Sequence, residues 1–393
     1  MNFCHFRNIP FGIFIGLISV TAFASTDCHE PIRAEKELVI TDLSVVNDPR
    51  AHAPNGPWTF GYLMRQLTPK GMHPSDFVLR WLNEWMLTKK IASDMVEPRK
   101  AIEKIVSDWP KKEDGRLDLD RAPLRLLAIV NRIDNRGPFT RGGAGEGRFV
   151  FSFLAPNGTP LSFTVIFEYL LPRLPKKGLT VRSWARRWHA LGNHSFGEQY
   201  NRALQEITDL FTRRGSFPGR RNHSALNQLR TNEISLASPW QMREFKLSRN
   251  GMLKMTTTKQ TPAEHFNVGS IEDEHSKLIR WMIDHKDEIL AEKHIVPRQL
   301  LGAKSHAPFV WAPKANELGQ EMKKVRKVFA LNTCNGCHSS ETNTSFLHIA
   351  PRSAETSARL SQFMVSDVGR RVDAMRAILC DRAHEVPVLV RPH

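Results

Sequence analysis

Five consecutive residues near the carboxyl end of the chain combine two thiols with an imidazole. They form the C-x-x-C-H run Cys334-Asn335-Gly336-Cys337-His338. Two thiols at this spacing can form thioether bonds with the vinyl groups of one haem, and the adjacent imidazole can reach the iron. Because the thioether bonds fix the porphyrin edge, the imidazole needs no preformed pocket to meet the metal. The run therefore predicts covalently bound haem c.

Other chemistries fit parts of the same run. A zinc site needs four ligands, which Cys334, Cys337, His338 and His348 could supply, although the neighbours Cys337 and His338 are poorly placed to share one tetrahedron. A thioredoxin-like dithiol starts a helix after a strand, whereas this pair is predicted to end a helix. A plain disulfide between the two cysteines is a further alternative.

Apolar residues recur at helical spacing on both sides of the run. They are Leu318, Met322, Val325 and Phe329 before it, and Val368, Val372, Met375 and Leu379 after it. The first set predicts a helix that leads into Cys334, and the second predicts a closing helix capped by Ser366. A helix, a C-x-x-C-H run, a ligand-bearing loop and a closing helix resemble a small c-type cytochrome domain over about the last seventy-five residues. The chain differs from that pattern at Ala330, where such domains commonly have an aromatic residue.

The resemblance implies roles for individual residues. Cys334 and Cys337 would be the thioether attachments, and His338 would be the proximal iron ligand. Met364, in a loop before the closing helix, is the first candidate for the distal ligand, and His348 is its main rival. An open coordination position is the third alternative. A methionine ligand raises the reduction potential, a second histidine lowers it, and an open position admits a small molecule.

The amino-terminal residues predict export. Residues 1–24 read as a signal peptide, with Arg7 before an apolar stretch that ends in the cleavage site Ala22-Phe23-Ala24. That stretch is shorter than the ~20 residues of a membrane-spanning helix. The mature protein is therefore predicted to be periplasmic or secreted, and not an integral membrane protein. If haem takes the C-x-x-C pair, Cys28 and Cys380 remain as the two ends of one possible disulfide.

The positive charge of the chain is concentrated in one segment. The formal net charge is +16, and residues 171–230 contain twelve Lys or Arg against three acidic residues. This segment, which includes Trp184, Trp188 and His189, could bind an anionic glycan, a lipid headgroup or an acidic redox protein. The alternative is a solvated face that keeps the protein soluble. Export disfavours nucleic acid as a partner.

Residues 25–305 predict an α+β domain of unknown function. Asn157-Gly158 and Asn250-Gly251 each separate two apolar, β-branched or aromatic runs, which predicts two antiparallel hairpins. Helices are predicted at 76–91, 98–107, 196–214 and 271–293. The glycine-rich run 141–148 leads into a strand and not a helix, so it is predicted to be a structural loop and not a phosphate site. Residues 306–318 are the predicted linker, and 319–393 the mostly α haem-binding module.

These observations favour an exported mono-haem c-type protein that transfers electrons to or from a redox partner, with the N-terminal domain selecting the partner or substrate. One alternative is a haem-free secreted binding protein with a basic surface, in which the cysteine pair is a disulfide or part of a zinc site. Another is an oxidoreductase in which the N-terminal domain performs the chemistry and haem relays electrons. Arg352 could pair with a haem propionate or lie at the surface.

Overall fold

The structure is a computed structural model that describes Met1 and residues 28–267, 275–306, 319–339 and 341–385. Apart from Met1, the predicted signal peptide lies outside the described residues, and so do residues 307–318 of the predicted linker. Among the described residues, no helix has both the length and the apolar character needed to cross a bilayer.

The elements alternate between helices and strands along the described chain. The helices are α1 (Ala34–Glu37), α2 (Leu43–Val46), α3 (Pro49–His52), α4 (Phe60–Leu67), α5 (Pro74–Leu82), α6 (Ala101–Asp108), α7 (Val181–Ala190), α8 (Glu198–Thr212), α9 (His275–Asp284), α10 (Lys286–Leu290), α11 (Gln320–Leu331), α12 (Cys334–Cys337) and α13 (Gln362–Leu379). The strands are β1 (Val39–Ile40), β2 (Lys89–Ile91), β3 (Asp94–Val96), β4 (Leu124–Arg132), β5 (Gly143–Leu154), β6 (Pro160–Pro172), β7 (Leu226–Glu233), β8 (Gln241–Leu247), β9 (Leu253–Thr256) and β10 (Ser305–His306).

One antiparallel sheet organises the fold. Its strand order is β1, β4, β5, β6, β7, β8 and β10, and β9 pairs with β8. Both predicted hairpins are confirmed. Gly158 (φ +79°) lies in the turn between β5 and β6, and Gly251 (φ +78°) lies in the turn between β8 and β9. Glycine adopts this left-handed conformation without the Cβ clash of other residues. The predicted α+β mixture with antiparallel hairpins is therefore confirmed.

The two faces of the sheet differ in chemistry because successive side chains point to opposite sides. On one face, Phe151 and Phe167 pack with Phe60 of α4, at ring-centroid distances of 6.3 and 5.7 Å. Phe153 stacks on Phe163 at 4.5 Å on the same face. The opposite face carries arginine and glutamate side chains between aliphatic ones. We call this opposite face of β4–β8 the charged face.

The glycine-rich run is part of the sheet, so the predicted loop is wrong for most of its length. β5 begins at Gly143, within that run. A Cβ on Gly147 would lie 2.5 Å from the ring of Phe211, and one on Gly145 would lie 2.6 Å from the Ile133 Cα. These glycines therefore permit close packing of the sheet against its neighbours.

Helix boundaries differ most from the sequence-based ones at three places, whereas the helices predicted at 98–107 and 196–214 are Ala101–Asp108 and Glu198–Thr212. The predicted helix 76–91 ends at Leu82 as α5, because the residues that follow turn into the β2–β3 hairpin. The predicted helix 271–293 begins outside the described residues, and its described part is divided into α9 and α10 at His285. The closing helix α13 starts at Gln362, because the Ser361 hydroxyl caps it by accepting a hydrogen bond from the Met364 amide at 3.1 Å. Ser366 is therefore not the cap.

The C-terminal residues pack onto the rest of the chain through hydrophobic clusters, two of which involve the helices α11 and α13. Met364, Met375 and Leu379 of α13 belong to the cluster that also contains the aromatic face of the sheet. The α11 side chains Val325 and Phe329 lie in a second cluster with α9 and α10. The predicted boundary between residues 25–305 and 319–393 stays a prediction, but hydrophobic contacts cross it on both sides.

Candidate functional site

The C-x-x-C pair lies in its own short helix, α12. The Thr333 side chain begins this helix by accepting a hydrogen bond from the Gly336 amide at 3.1 Å. It also donates to the carbonyl of Ala330, near the end of α11, at 2.7 Å. The cysteines therefore start a helix of one turn that follows another helix, and the expectation that they end a helix is wrong. No strand directly precedes them, so the arrangement still differs from a thioredoxin-like dithiol.

A hydrogen bond on one nitrogen fixes the ring of His338. Its Nδ1 lies 2.7 Å from the carbonyl oxygen of Phe346. A carbonyl can only accept, so Nδ1 carries the proton and Nε2 keeps its lone pair in the neutral ring. Burial lowers the pKa of His338 to about 4, which keeps the ring neutral at pH 7. An imidazole that donates through one nitrogen to a backbone carbonyl is the usual arrangement of a metal ligand.

Phe346, which accepts this hydrogen bond, has an uncommon backbone conformation. Its φ of +65° lies in the left-handed region, which is unfavourable for a bulky residue. Its ring stacks on Trp240 at 5.0 Å, and the Trp240 ring stacks on His338 at 6.0 Å. The amide of Asn232 also donates to the Phe346 carbonyl at 2.6 Å. These contacts hold the strained residue in place, and with it the carbonyl that orients His338.

His348 lies beside His338. The centroids of the two rings are 4.3 Å apart, and the Nε2 atom of His348 lies 3.2 Å from the Cys337 Sγ atom. The Nδ1 atom of His348 lies 2.8 Å from the Ser361 hydroxyl, the residue that caps α13. Burial lowers the pKa of His348 well below its usual value. The cap of the closing helix thus also positions this imidazole.

Three side chains form a group that could hold a metal ion. One ligand atom from each of Cys337, His338 and His348 lies within 4.8 Å of the others, and all three residues are buried. Although Cys337 and His338 are adjacent in sequence, their ligand atoms are therefore close enough to bind the same metal ion. Cys334 is also buried, but it packs with Trp240 in a small separate cluster. The structure shows no disulfide between the two cysteines of the run.

A cavity lies between the charged face and the residues after the C-x-x-C-H run. Its lining consists of Val130, Arg132, Arg148, Val150, Thr164, Ile166, Glu168, Arg230, Asn232, Met242, His338, Leu347, His348, Ile349, Phe363, Met364 and Arg371. The cavity thus brings His338 together with both predicted distal ligands, Met364 and His348. Met364 is in the first turn of α13, so its predicted position in a loop is wrong. The Arg371 Nη2 atom lies 3.2 Å from its sulfur.

The two distal candidates differ in their present geometry. A metal-bound imidazole nitrogen lies about 2 Å from its metal. Two imidazoles on opposite sides of one iron therefore have ring centroids well beyond the 4.3 Å seen between His338 and His348. The observed arrangement fits two imidazoles on the same side of a metal, and a porphyrin between them would require the rings to separate. Met364 lines the same cavity from the first turn of α13.

Buried ion pairs cover the charged face beside the cavity. Arg148 contacts Glu146 at 2.6 Å and Glu168 at 3.3 Å, and Arg230 lies 3.3 Å from Glu168. Lys259 is fully buried nearby, and burial lowers its pKa to about 8. Sequence reasoning missed this network. The signal that could have found it is the alternation of charged residues with aromatic ones along β5 and β6, which predicts one charged face but not its burial.

Other predicted residues lie outside the cavity lining. Cys28 and Cys380 form the disulfide that the cysteine count made possible. Arg352 is not at the surface: its Nε donates to the Leu126 carbonyl at 3.1 Å and its Nη2 to the Val46 carbonyl at 3.1 Å. It therefore fastens the C-terminal segment to β4 and α2.

The basic segment 171–230 is divided between the surface and the interior. Trp184 and Trp188 are core residues, and His189 pairs with the buried Glu37 at 2.8 Å. These three side chains therefore do not form a binding surface. Most of the arginines and lysines of the segment are exposed, whereas Arg230 lines the cavity.

Comparison with known proteins found no relative of this chain. The sequence matches no protein-family model, no curated protein and no solved structure. These comparisons therefore show no family for the chain.

Proposed function

We propose that this chain is an exported mono-haem c-type protein that transfers electrons. The observation that carries the proposal is the environment of His338: it directly follows the C-x-x-C pair, donates through Nδ1 to a backbone carbonyl, and lines a cavity together with a methionine and a second histidine. Haem bound there would supply one-electron chemistry.

Two groups of residues fit haem in their donor chemistry: His338, Met364 and His348, which line the cavity, and the cysteines of α12, which directly precede His338 and do not line it. Cys334 and Cys337 would be the thioether attachments, and His338 would be the proximal ligand. Met364 is the first candidate for the distal position, because it lines the cavity without the short ring contact that His348 makes with His338. His348 is the second candidate and requires its ring to move. Aliphatic side chains of the charged face would exclude water from the cofactor.

The exposed basic residues of segment 171–230 fit an acidic redox partner. Charges of one sign on an exposed surface accelerate encounter with a partner of opposite charge. The same charges also fit an anionic glycan or lipid surface. The proposed role of the remaining N-terminal domain is to select the partner or the substrate of the oxidoreductase.

The proposal is tested on full-length protein made in a host that attaches haem c. We expect a pyridine haemochrome spectrum of the c type and a mass increase of one haem, both lost in Cys334→Ala/Cys337→Ala. Met364→Ala should remove the near-infrared charge-transfer band typical of methionine ligation, and His348→Ala should leave it. Colourless protein with the mass of the polypeptide alone would refute the proposal.

A metal centre without porphyrin is the second candidate, and the cluster of Cys337, His338 and His348 favours it. One thiolate and two imidazoles suit zinc or copper. Cys334 separates the two candidates, because haem attachment uses both cysteines whereas this cluster excludes Cys334. Metal analysis of Cys334→Ala and Cys337→Ala proteins made without haem attachment should then show metal retained in the first and lost in the second. Equal metal content in both would exclude this candidate.

A further inference from the structure

Two buried arginines line the cavity, one from the sheet and one from a helix. Arg132 ends β4 on the charged face, and Arg371 projects from the middle of α13. Each is 2 % exposed, and both line the cavity that contains His338. A guanidinium carries five N–H donors and stays charged in proteins. Each of these donors therefore needs a hydrogen-bond acceptor when the side chain is buried.

Each arginine has partners for only part of its guanidinium. Arg132 donates through Nε and Nη2 to the two carboxylate oxygens of Asp134, both at 2.9 Å. Arg371 donates through Nε to Asp367 at 2.8 Å and places Nη2 against the Met364 sulfur. The Nη1 atoms of both arginines are buried, and neither has a hydrogen-bond partner among the described residues. Buried polar groups in folded proteins normally have one.

The charges of the two arginines act on each other. Burial, followed by repulsion from Arg132, lowers the pKa of Arg371 to about 10. A negatively charged acceptor that reached both Nη1 atoms would relieve this repulsion and give each atom a hydrogen-bond partner. Aliphatic side chains, among them Val130, Ile166 and Ile349, line part of the cavity, beside the ion-paired Arg148, Glu168 and Arg230. One N–H donor from each arginine suits the two oxygens of a carboxylate, and the aliphatic part of the lining suits a hydrocarbon body.

We propose that this cavity binds a carboxylate carried on an apolar body, with Nη1 of Arg132 and Nη1 of Arg371 as its donors. The carboxylate has two possible sources. One is a propionate of haem attached to Cys334 and Cys337, and this version rests on the proposed function. The other is a free carboxylic acid, which does not depend on haem.

The test uses full-length protein in two forms, made with and without haem attachment, and sodium octanoate as the free carboxylate probe. Calorimetry should show octanoate binding to the haem-free form, weakened at least tenfold in Arg132→Gln and Arg371→Gln. Octan-1-ol, which has the same chain without the charge, should bind no more weakly to the variants than to the wild type. In the haem-loaded form, the pH at which the reduction potential changes slope should move upward in both variants, because the ionised propionate loses a cationic donor.

The two forms of the protein distinguish a haem propionate from a free carboxylic acid as the source of the carboxylate. Octanoate excluded from the haem-loaded form, together with a shifted pH step, assigns the site to the propionate. Octanoate bound equally by both forms assigns it to a free carboxylate. If no haem attaches at all, the proposed function fails while the octanoate arm still decides this inference. Unchanged octanoate affinity and an unchanged pH step in both variants would overturn it.

Two kinds of variant control for effects on folding: conservative substitutions of the same arginines, and substitution of a buried arginine outside the cavity. Arg132→Lys and Arg371→Lys keep the charge but remove the Nη1 donor, so they should show an intermediate loss of octanoate affinity. Arg243 is as deeply buried and contacts Glu233 at 3.2 Å, yet it does not line the cavity. Arg243→Gln should therefore leave octanoate affinity unchanged, and an equal loss in this control would also overturn the inference.

Discussion

The protonation of His338 is decided by one backbone carbonyl. Because Phe346 presents only an acceptor to Nδ1, the other ring nitrogen keeps its lone pair, and burial keeps the ring uncharged at neutral pH. Phe346 holds this carbonyl from a left-handed backbone conformation that its stacking on Trp240 helps to maintain. The chemistry of the histidine therefore depends on a residue eight positions away in sequence.

Arg352 has a structural role at the same scale. Its guanidinium donates to the carbonyls of Leu126 and Val46 and to the Asn47 side chain at 2.7 Å. We expect Arg352→Ala to lower the free energy of unfolding by about 1–3 kcal/mol, because buried acceptors lose their donor. Urea unfolding followed by circular dichroism measures this change.

The control for Arg352 is Arg359, an exposed arginine in the same segment. Arg359→Ala should change the free energy of unfolding by less than about 0.5 kcal/mol. Since Arg352 lies outside the cavity lining, its replacement should also leave the visible spectrum of the haem-loaded protein in place. A shifted spectrum with unchanged stability would show that the arginine acts on the cofactor after all.

The short helix α12 depends on a single small residue. A Cβ on Gly336 would lie 2.2 Å from the Ala330 carbonyl oxygen of α11, a backbone atom that cannot swing away. We expect Gly336→Ala to displace α12, destabilise the protein by about 1–3 kcal/mol, and reduce haem or metal loading. Unfolding experiments and the haem or metal content per chain test both effects.

Gly369 offers a matched substitution with the opposite sign. It lies inside α13, and a Cβ there would meet no atom within 4 Å. Gly369→Ala should therefore stabilise the protein by about 0.5–1 kcal/mol, because alanine loses less conformational freedom in a helix than glycine. If both glycine variants lost stability equally, the close approach of α12 to α11 would not be the cause.

At the scale of the whole molecule, the two ends of the described chain are joined. The Cys28–Cys380 disulfide links residues 352 positions apart and ties the N-terminal arm to the end of α13. A cross-link over so long a loop restricts the unfolded chain strongly. We expect Cys28→Ser/Cys380→Ser to lower the free energy of unfolding by about 2–5 kcal/mol.

Reductant provides an independent check on this prediction. Dithiothreitol should lower the urea midpoint of the wild-type protein and leave that of Cys28→Ser/Cys380→Ser unchanged. Thioether bonds resist this reductant, so haem attached to α12 should remain bound throughout. A wild-type midpoint that does not respond to reductant would show that the cross-link contributes nothing to stability.

The sequence by itself determined the local features of this protein. Glycine at Asn157-Gly158 and Asn250-Gly251 specified both hairpins, because few other residues adopt the left-handed turn. The apolar spacing of Tyr200, Leu204, Ile207 and Phe211 specified α8, and all four are buried as that spacing requires. The cysteine count indicated Cys28 and Cys380 as partners. Each of these signals lies in a short stretch of sequence or in a count of one residue type.

Only the tertiary structure decided what faces the C-x-x-C-H run. The alternation of charge along β5 and β6 is the same whether their second face meets water or protein, so the sequence could not reveal that this face is buried. Burial depends on contacts between residues far apart in the chain, such as Arg132 of β4 and Arg371 of α13 at one cavity. The same contacts bring His348 and Met364 to His338, because the cap at Ser361 fixes where α13 begins.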